Sequence, residues 1–242
     1  RIAVDGSCLR LALRASHVPR AASRDMLAMG CYLPDAQLML AAQLYSAGYG
    51  ERQALFEQFE RFGPGDLLLL DRGYPCRWLV AALQGKGIDF CMRVDTAGGG
   101  FAAVRAFRAS SLAEQIVELP AADAQDVADF ECPAGPLRVR LVRHVNANGS
   151  VRILMTSLMD TEHFPAALFG ELYHQRWSIE EAFKRLKHRL CLEQVSGLSH
   201  LAVQQDFAAK VLCDNLAALA SSNARSAAQL PAHRRINRAY AR

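Results

Sequence analysis

Residues 66–74 read DLLLLDRGY, and the four consecutive leucines Leu67–Leu70 form a short apolar run without polar alternation. Such a run reads as a strand buried on both faces, the setting of a mostly parallel sheet covered by helices. Asp71 stands where that strand ends. In open α/β sheets the ligand crevice lies beyond the carboxyl ends of the strands, and Gly73, Tyr74 and Pro75 turn the chain before the next helix. The same aspartate also suits a helix N-cap or a turn, so taken alone it leaves both readings open.

Outward from this strand the chain reads as βββαβαβ. Strands are expected over residues 2–4, 8–13 and 37–44, a helix over 51–61, the leucine strand over 66–70, a helix over 76–84 and a strand over 89–94. Three strands followed by alternating helix and strand fit a mixed sheet with helices covering it. Asp5 sits in IAVDGSCLRL, where Asp5-Gly6 could be a hairpin turn between two strands or the end of the first one. From residue 95 the texture changes. Gly98, Gly99 and Gly100 open a stretch in which Val139, Leu141 and Val145 punctuate Arg138, Arg140, Arg143 and His144, and Asn148-Gly149 signals a hairpin into 151–158. Those arginines either line a DNA path or guard an exposed strand edge, and edge protection is favoured. Three segments result: 1–94 as the first part of the core, 95–150 as a β insertion, and 151–242 as the last part of the core.

In that last part, residues 173–187 read YHQRWSIEEAFKRLK, inside a helix expected from Pro165 to about residue 190 and followed by another over 202–220. At about 100° per residue, Tyr173, Arg176, Glu180 and Lys187 fall within roughly 60° of one another on one face. Beside them runs an apolar seam of Leu168, Leu172, Ile179, Phe183, Leu186 and Leu190. A carboxylate among phosphate-seeking cations reads as a metal ligand beside DNA; ordinary solvated ion pairs, such as Glu180 with Lys184, are the plain alternative. Trp177 and Trp78 read as core residues, although Trp177 could stack on a base.

VDGS, then LLLLDRGY, then Y-x-x-R-x-x-x-E-x-x-x-x-x-x-K resemble, in order, the three catalytic blocks of the DDE transposases of the insertion-sequence-four family. The resemblance covers nearly the whole chain and implies a ribonuclease-H-like α/β fold, a mixed sheet flanked by helices with a β-rich insertion before the last helices. It implies that Asp5, Asp71 and Glu180 are the catalytic, metal-binding triad, that Glu181 is the neighbour that is not a ligand, and that Tyr173, Arg176 and Lys187 hold DNA phosphates. The implied cofactor is Mg²⁺, with Mn²⁺ as a substitute and two ions in the site. The implied partners are double-stranded DNA, as transposon ends and target, and a second copy of the chain in the DNA complex. The implied reaction is hydrolysis at a transposon end followed by transfer of the freed 3′-hydroxyl into target DNA. A catalytically inactive domesticated DNA-binding domain and a plain metal-dependent nuclease remain alternatives, because the latter uses the same two-metal chemistry. The chain begins four residues before Asp5, so the N-terminal DNA-binding region usual in such transposases is expected to be missing from it.

Composition agrees. The 242 residues are 51% hydrophobic, enough for one large core. A net charge of +4 is only mildly basic, so local clusters matter more. Arg176, Lys184, Arg185, Lys187 and Arg189 form one, and His233, Arg234, Arg235, Arg238 and Arg242 another. The seven cysteines are scattered without zinc or redox spacing and read as reduced core thiols. No leader or long uncharged apolar run is evident, so the expectation is a cytoplasmic, nucleoid-associated protein with no membrane span.

Overall fold

A computed structural model of the chain describes residues 1–13, 21–94, 101–146 and 148–229. In chain order the elements are β1 (Ile2–Arg10), β2 (Asp25–Leu33), β3 (Leu38–Ser46), α1 (Glu51–Phe56), β4 (Leu67–Leu70), α2 (Arg77–Gly85) and β5 (Asp89–Val94). There follow α3 (Ala102–Ala109), β6 (Glu114–Leu119), α4 (Ala124–Asp129), β7 (Leu137–Val145), β8 (Val151–Thr156), α5 (Phe169–His174), α6 (Trp177–Arg189) and α7 (His200–Ala227). Strands of mixed direction carried with helices give the α/β class that the sequence implies. The chain divides into two compact units, Arg1–Asp5 with Gly50–Trp177, and Gly6–Tyr49 with the described residues of Ser178–Arg242.

In the first unit the strand order is β1-β4-β5-β8-β7-β6. β1, β4 and β5 run parallel and the remainder antiparallel. Because β4 has a parallel neighbour on each side, Leu68, Leu69 and Leu70 are fully buried, each stabilising the fold by about 2 kcal/mol. On one face Leu69 packs with Cys91, Val142, Leu154, Leu158, Phe169 and Tyr173. The pairing runs Ile2↔Leu68 and Ala3↔Leu69, and Asp5 and Asp71 each come two residues after its last pair. Elsewhere in this unit Trp78 stacks on Phe130 with ring centroids 3.7 Å apart, and Phe56 meets both rings edge-on.

Several sequence expectations change. Asp5-Gly6 is not a hairpin turn: β1 continues through it to Arg10. Residues 25–33, which the strand reading passed over, form β2, paired antiparallel with β3. The helix expected over 51–61 is a six-residue α1 and a short 3-10 turn at Phe59–Arg61. The stretch before the Asn148-Gly149 hairpin holds α3 and α4 as well as strands, while the hairpin itself forms, with Val145 opposite Val151. The long helix expected from Pro165 breaks into a 3-10 turn, α5 and α6, with residues 175 and 176 between the last two in a turn. Leu168, placed in the apolar seam, is 50% exposed as a result.

The insertion arginines do not guard an edge, since β7 lies between β8 and β6. Arg140 is fully buried: its guanidinium pairs with Glu114, donates to the Leu158 carbonyl at 3.2 Å and the Phe164 carbonyl at 2.8 Å, and lies over the Phe169 ring. Arg143 donates to the carbonyls of Phe107, Ser110 and Leu112. A guanidinium offers five donors in a rigid fork, so one side chain can reach several chain carbonyls at once.

The second unit holds the β2–β3 hairpin, the later part of β1, α6 beyond Trp177, and α7. Between Cys31 and Tyr32 the β2–β3 register shifts, and beside that irregularity Asn215 of α7 bonds both Met39 N–H, at 2.8 Å, and Met39 carbonyl, at 2.9 Å. Gly30 leaves room for the Phe183 ring, because a Cβ there would lie 2.9 Å from Phe183 Cζ.

Two outcomes follow for stability. Arg140→Met removes a buried charge from four partners and is expected to cost about 3 kcal/mol in chemical denaturation, more than an exposed-arginine control such as Arg138→Met. Asn215→Leu leaves the Met39 amide and carbonyl unpaired and should cost about 1–3 kcal/mol by the same measurement; no loss would mean the bulge does not need the side chain.

Candidate active site

Four of the six residues singled out in the sequence lie in the first unit. Asp71 follows the last leucine of β4, where the chain turns: its Oδ1 accepts the Gly73 N–H at 2.6 Å and its carbonyl accepts the Tyr74 N–H. From α1, Arg52 Nε donates to the Gly73 carbonyl at 2.8 Å, so the Asp71 loop is held from both sides. Asp5 is half-buried on β1, and its Oδ2 accepts from Arg176 Nη1 at 3.2 Å. Arg176 is itself only 7% exposed and lies over the rings of Tyr173 and Trp177. Pairing with Asp5 offsets the cost of burying that charge, and the two ring faces add cation–π attraction.

Tyr173 is buried in the core rather than presented on an open polar face. Burial pushes its phenol up to about 12, with the nearby Arg176 pulling down and Asp71 pushing up, so at neutral pH the group keeps its proton and can only act as a neutral hydroxyl. Trp177 departs from the core reading at 42% exposed, because the turn at 175 and 176 brings it to the start of α6 on the solvent side. Trp78 is half-buried in the aromatic stack. His174 and His188 are exposed.

One residue in this unit had no signal in the sequence. Glu51 opens α1, where an acidic residue is unremarkable because it favours a helix N-terminus. Its carboxyl is nevertheless held above the ordinary carboxylate range, first by burial and then by the charge of Asp71.

In the second unit Glu180 is half-buried in the first turn of α6. The surface pair on that helix is not Glu180 with Lys184: Lys184 Nζ bonds Glu181 Oε1 at 2.7 Å, and both are exposed. Lys187 Nζ donates to the Cys8 carbonyl at 2.7 Å. Arg185 meets Asp214 in a two-pronged contact at 2.9 and 2.7 Å, which holds its guanidinium firmly protonated. Ile179, Ala182, Phe183 and Leu186 supply the buried side of α6.

Asp5 lies on β1 two residues past Ala3, and Asp71 follows β4 two residues past Leu69, the partner of Ala3, with Arg176 bonded to Asp5. Among the described residues no three histidine, cysteine, aspartate or glutamate side chains are gathered into a ready cluster for a metal. Cys31, Cys91 and Cys132 are buried, as expected of core thiols, but Cys8, Cys191 and Cys213 are exposed. The basic run from His233 to Arg242 and the glycines at 98–100 lie outside the described residues. Among the described residues no helix is long and apolar enough to cross a membrane.

The chain is similar to known transposases. The transposase InsG for insertion sequence element IS4 of Escherichia coli (strain K12) is 25% identical over 178 residues, covering 73% of this chain and 39% of that protein. The chain therefore spans about two fifths of the length of that relative. A piggyBac transposase solved by cryo-EM in a synaptic complex with hairpin DNA superposes with a TM-score of 0.56 at 11% identity, over 94% of this chain and 48% of that one. At that identity the likeness concerns the fold, and it agrees with the ribonuclease-H-like arrangement expected. A family profile described as "Transposase DDE domain" matches residues 1–216; with InsG as a relative, the chain belongs to the DDE transposase family, of the IS4 type.

Proposed function

We propose that this chain is the catalytic core of a DNA transposase that cuts at the ends of an insertion sequence and joins the freed 3′-hydroxyl to target DNA. The observation that carries the reading is that Asp5 and Asp71 each lie two residues past the paired Ala3 and Leu69 of neighbouring parallel strands, with Arg176 of the third sequence block bonded to Asp5. Residues 95–150 are the insertion that separates the second block from the third. The substrate is double-stranded DNA, bound by two copies of the protein in the cytoplasm; the DNA complex of the piggyBac relative supports DNA as partner.

The donor set suits Mg²⁺, with Mn²⁺ as substitute: carboxylate oxygens are hard ligands, and this ion is commonly held by one or two carboxylates together with substrate phosphates rather than by an all-protein cage. Asp5, Asp71 and Glu180 are the residues that would hold the ions. When bound, two such ions supply Lewis acidity at the scissile phosphate and lower the proton affinity of the attacking oxygen.

Each side chain then has a task. Asp71 has one oxygen fixed by the Gly73 N–H, which sets the direction of the other. Arg176 holds Asp5 and brings a fork of donors suited to a phosphate, whereas Lys187 brings a point charge. Tyr173, kept protonated by burial, serves as a neutral donor and as the platform under Arg176. In the first step a water oxygen bonds to phosphorus as the bond to the 3′ oxygen breaks, leaving a 3′-hydroxyl on the transposon end and a 5′-phosphate on the flank. In the second, that hydroxyl gives up its proton and bonds to a target phosphorus, and the target's own 3′ oxygen departs and takes a proton.

Asp71→Asn and Glu180→Gln are each expected to reduce Mn²⁺-supported cleavage of a duplex carrying the DNA that flanks the coding sequence by at least about a thousandfold, with the melting temperature unchanged or raised. Glu181→Gln should cleave like the wild type. Retained cleavage in Asp71→Asn or Glu180→Gln overturns the triad, and cut products that are never joined to target DNA reduce the reading to a nuclease. Lys187→Ala is expected to lower the slope of log affinity for end DNA against log salt by about one; an unchanged slope removes Lys187 from the phosphate contacts.

A further inference from the structure

β4 has β1 on one side and β5 on the other, so the sheet continues past Asp71 in the direction away from Asp5. On that side stands Arg93. It comes one residue after Met92, the partner of Leu70, as Asp71 comes one residue after Leu70 itself. Arg93 is paired with Leu154 of β8, and two residues from Leu154 comes Arg152, paired with His144 of β7. Residues directly opposite one another share a face of the sheet, and so do residues two apart on one strand. Leu154 packs with Leu69, Cys91 and Tyr173, so Arg93 and Arg152 rise on the face that Tyr173 covers. The Tyr173 phenol accordingly feels the charges of both Asp71 and Arg93.

Both arginines are half-buried, and among the described residues neither forms an ion pair or a side-chain hydrogen bond. That sets them apart from Arg140, Arg143, Arg176 and Arg185, whose guanidiniums are all engaged. The cross-strand neighbours supply no carboxylate. Opposite Arg93 is a leucine, and opposite Arg152 is a histidine whose ring lies against Gly170 of α5. As diagonal neighbours across the β5–β8 pair, the two arginines carry like charges with Cβ atoms about 7 Å apart. A partly desolvated charge without a counter-charge is a cost, and an anion within reach of both forks offsets it. We propose that Arg93 and Arg152 hold phosphates of the DNA on the far side of the scissile bond from the transposon end, the flank before cleavage and the target during joining; the inference rests on the transposase reading above. Arg176 bonds Asp5 on one side of β4, and Arg93 and Arg152 stand on the other. A DNA strand whose scissile phosphate lies at Asp5 and Asp71 then meets Arg176 in one direction and these two arginines in the other.

The test is fluorescence anisotropy of two labelled duplexes with the purified protein over a range of salt. Both are taken from the DNA that flanks the coding sequence, one with the transposon end joined to its flank, the other ending at the transposon's 3′-hydroxyl. Arg93→Gln and Arg152→Gln are each expected to weaken binding of the flank-carrying duplex about tenfold and to lower its salt slope by about one. Binding of the precut duplex should stay as in the wild type. Arg93→Lys keeps the charge and should keep the slope. Arg138→Gln, at an exposed arginine opposite Glu118, is the control and should bind both duplexes normally. Without DNA the melting temperatures of the two variants should be unchanged or higher, because an unmatched charge is gone. Wild-type binding of the flank-carrying duplex in both variants overturns the inference, and leaves the transposase reading standing if Asp71→Asn fails to cleave. Equal losses on the two duplexes place the contact on the transposon side and overturn it as well. A lower melting temperature with an unchanged slope marks the arginines as structural, with the same result. Cleavage retained in Asp71→Asn removes the transposase reading and this inference with it. Should Arg93→Gln not fold, Arg152→Gln decides: an unchanged slope overturns the proposal.

Discussion

The first unit depends on the register of β1 against β4. Parallel strands that slip by one residue turn every side chain to the opposite face, and a slip here would send Asp5 away from Asp71. The four leucines of β4 cannot resist such a slip by pattern, because the same side chain recurs at every position. What fixes the register lies around them. Leu69 shares a buried cluster with Phe169 and Tyr173 of α5, and just past Leu70 the chain is caught by the Asp71–Gly73 bond and by Arg52. On β1 the guard is Arg176, whose guanidinium donates to Asp5. The polar contacts at the strand ends therefore specify what the uniform apolar strand leaves open.

Two buried arginines do different work in that unit. Arg140 has its charge matched by Glu114 and spends its remaining donors on chain carbonyls at Leu158 and Phe164, the segment leading into α5. It fixes where α5 begins. Arg176 stands at the other end of α5 and uses its charge on Asp5, with Tyr173 and Trp177 as ring contacts. The helix is thus anchored by a guanidinium at entry and another at exit. A continuous helix from Pro165 would carry Arg176 on the helical ladder; the turn at 175 and 176 frees it to meet β1.

Much of this was legible from the residues. The leucine run named its own burial, the Asn148-Gly149 hairpin formed where its turn chemistry said, and the order of the three blocks anticipated the family. The misses have physical causes. Asp5-Gly6 resembles a turn locally, and only pairing with β4, a partner more than sixty residues away in sequence, makes it extended. β2 lacks period-2 alternation because most of it is buried on both sides, so it offers no pattern. The helix broke because periodicity reports which residues face a core and is silent on whether the axis is continuous. Glu51 was invisible because its neighbour Asp71 is set by tertiary contact alone.

The same contrast governs the charges. Counted along the sequence, Arg176, Lys184, Arg185, Lys187 and Arg189 form a basic cluster; in the fold the first four each have a partner within their own unit, respectively Asp5, Glu181, Asp214 and the Cys8 carbonyl. A cation that is already paired contributes less to the field felt by a polyanion than a bare one, and it must exchange its partner to reach a phosphate. Exposure then separates the three on α6. Lys184 lies in a solvated pair whose exchange costs little, and Lys187 gives up only one carbonyl bond. Arg185, with both carboxylate oxygens of a largely buried Asp214, would leave an uncompensated charge behind. It follows that Arg185 belongs to the packing of α6 on α7, while the two lysines keep charges that exchange their partners at little cost.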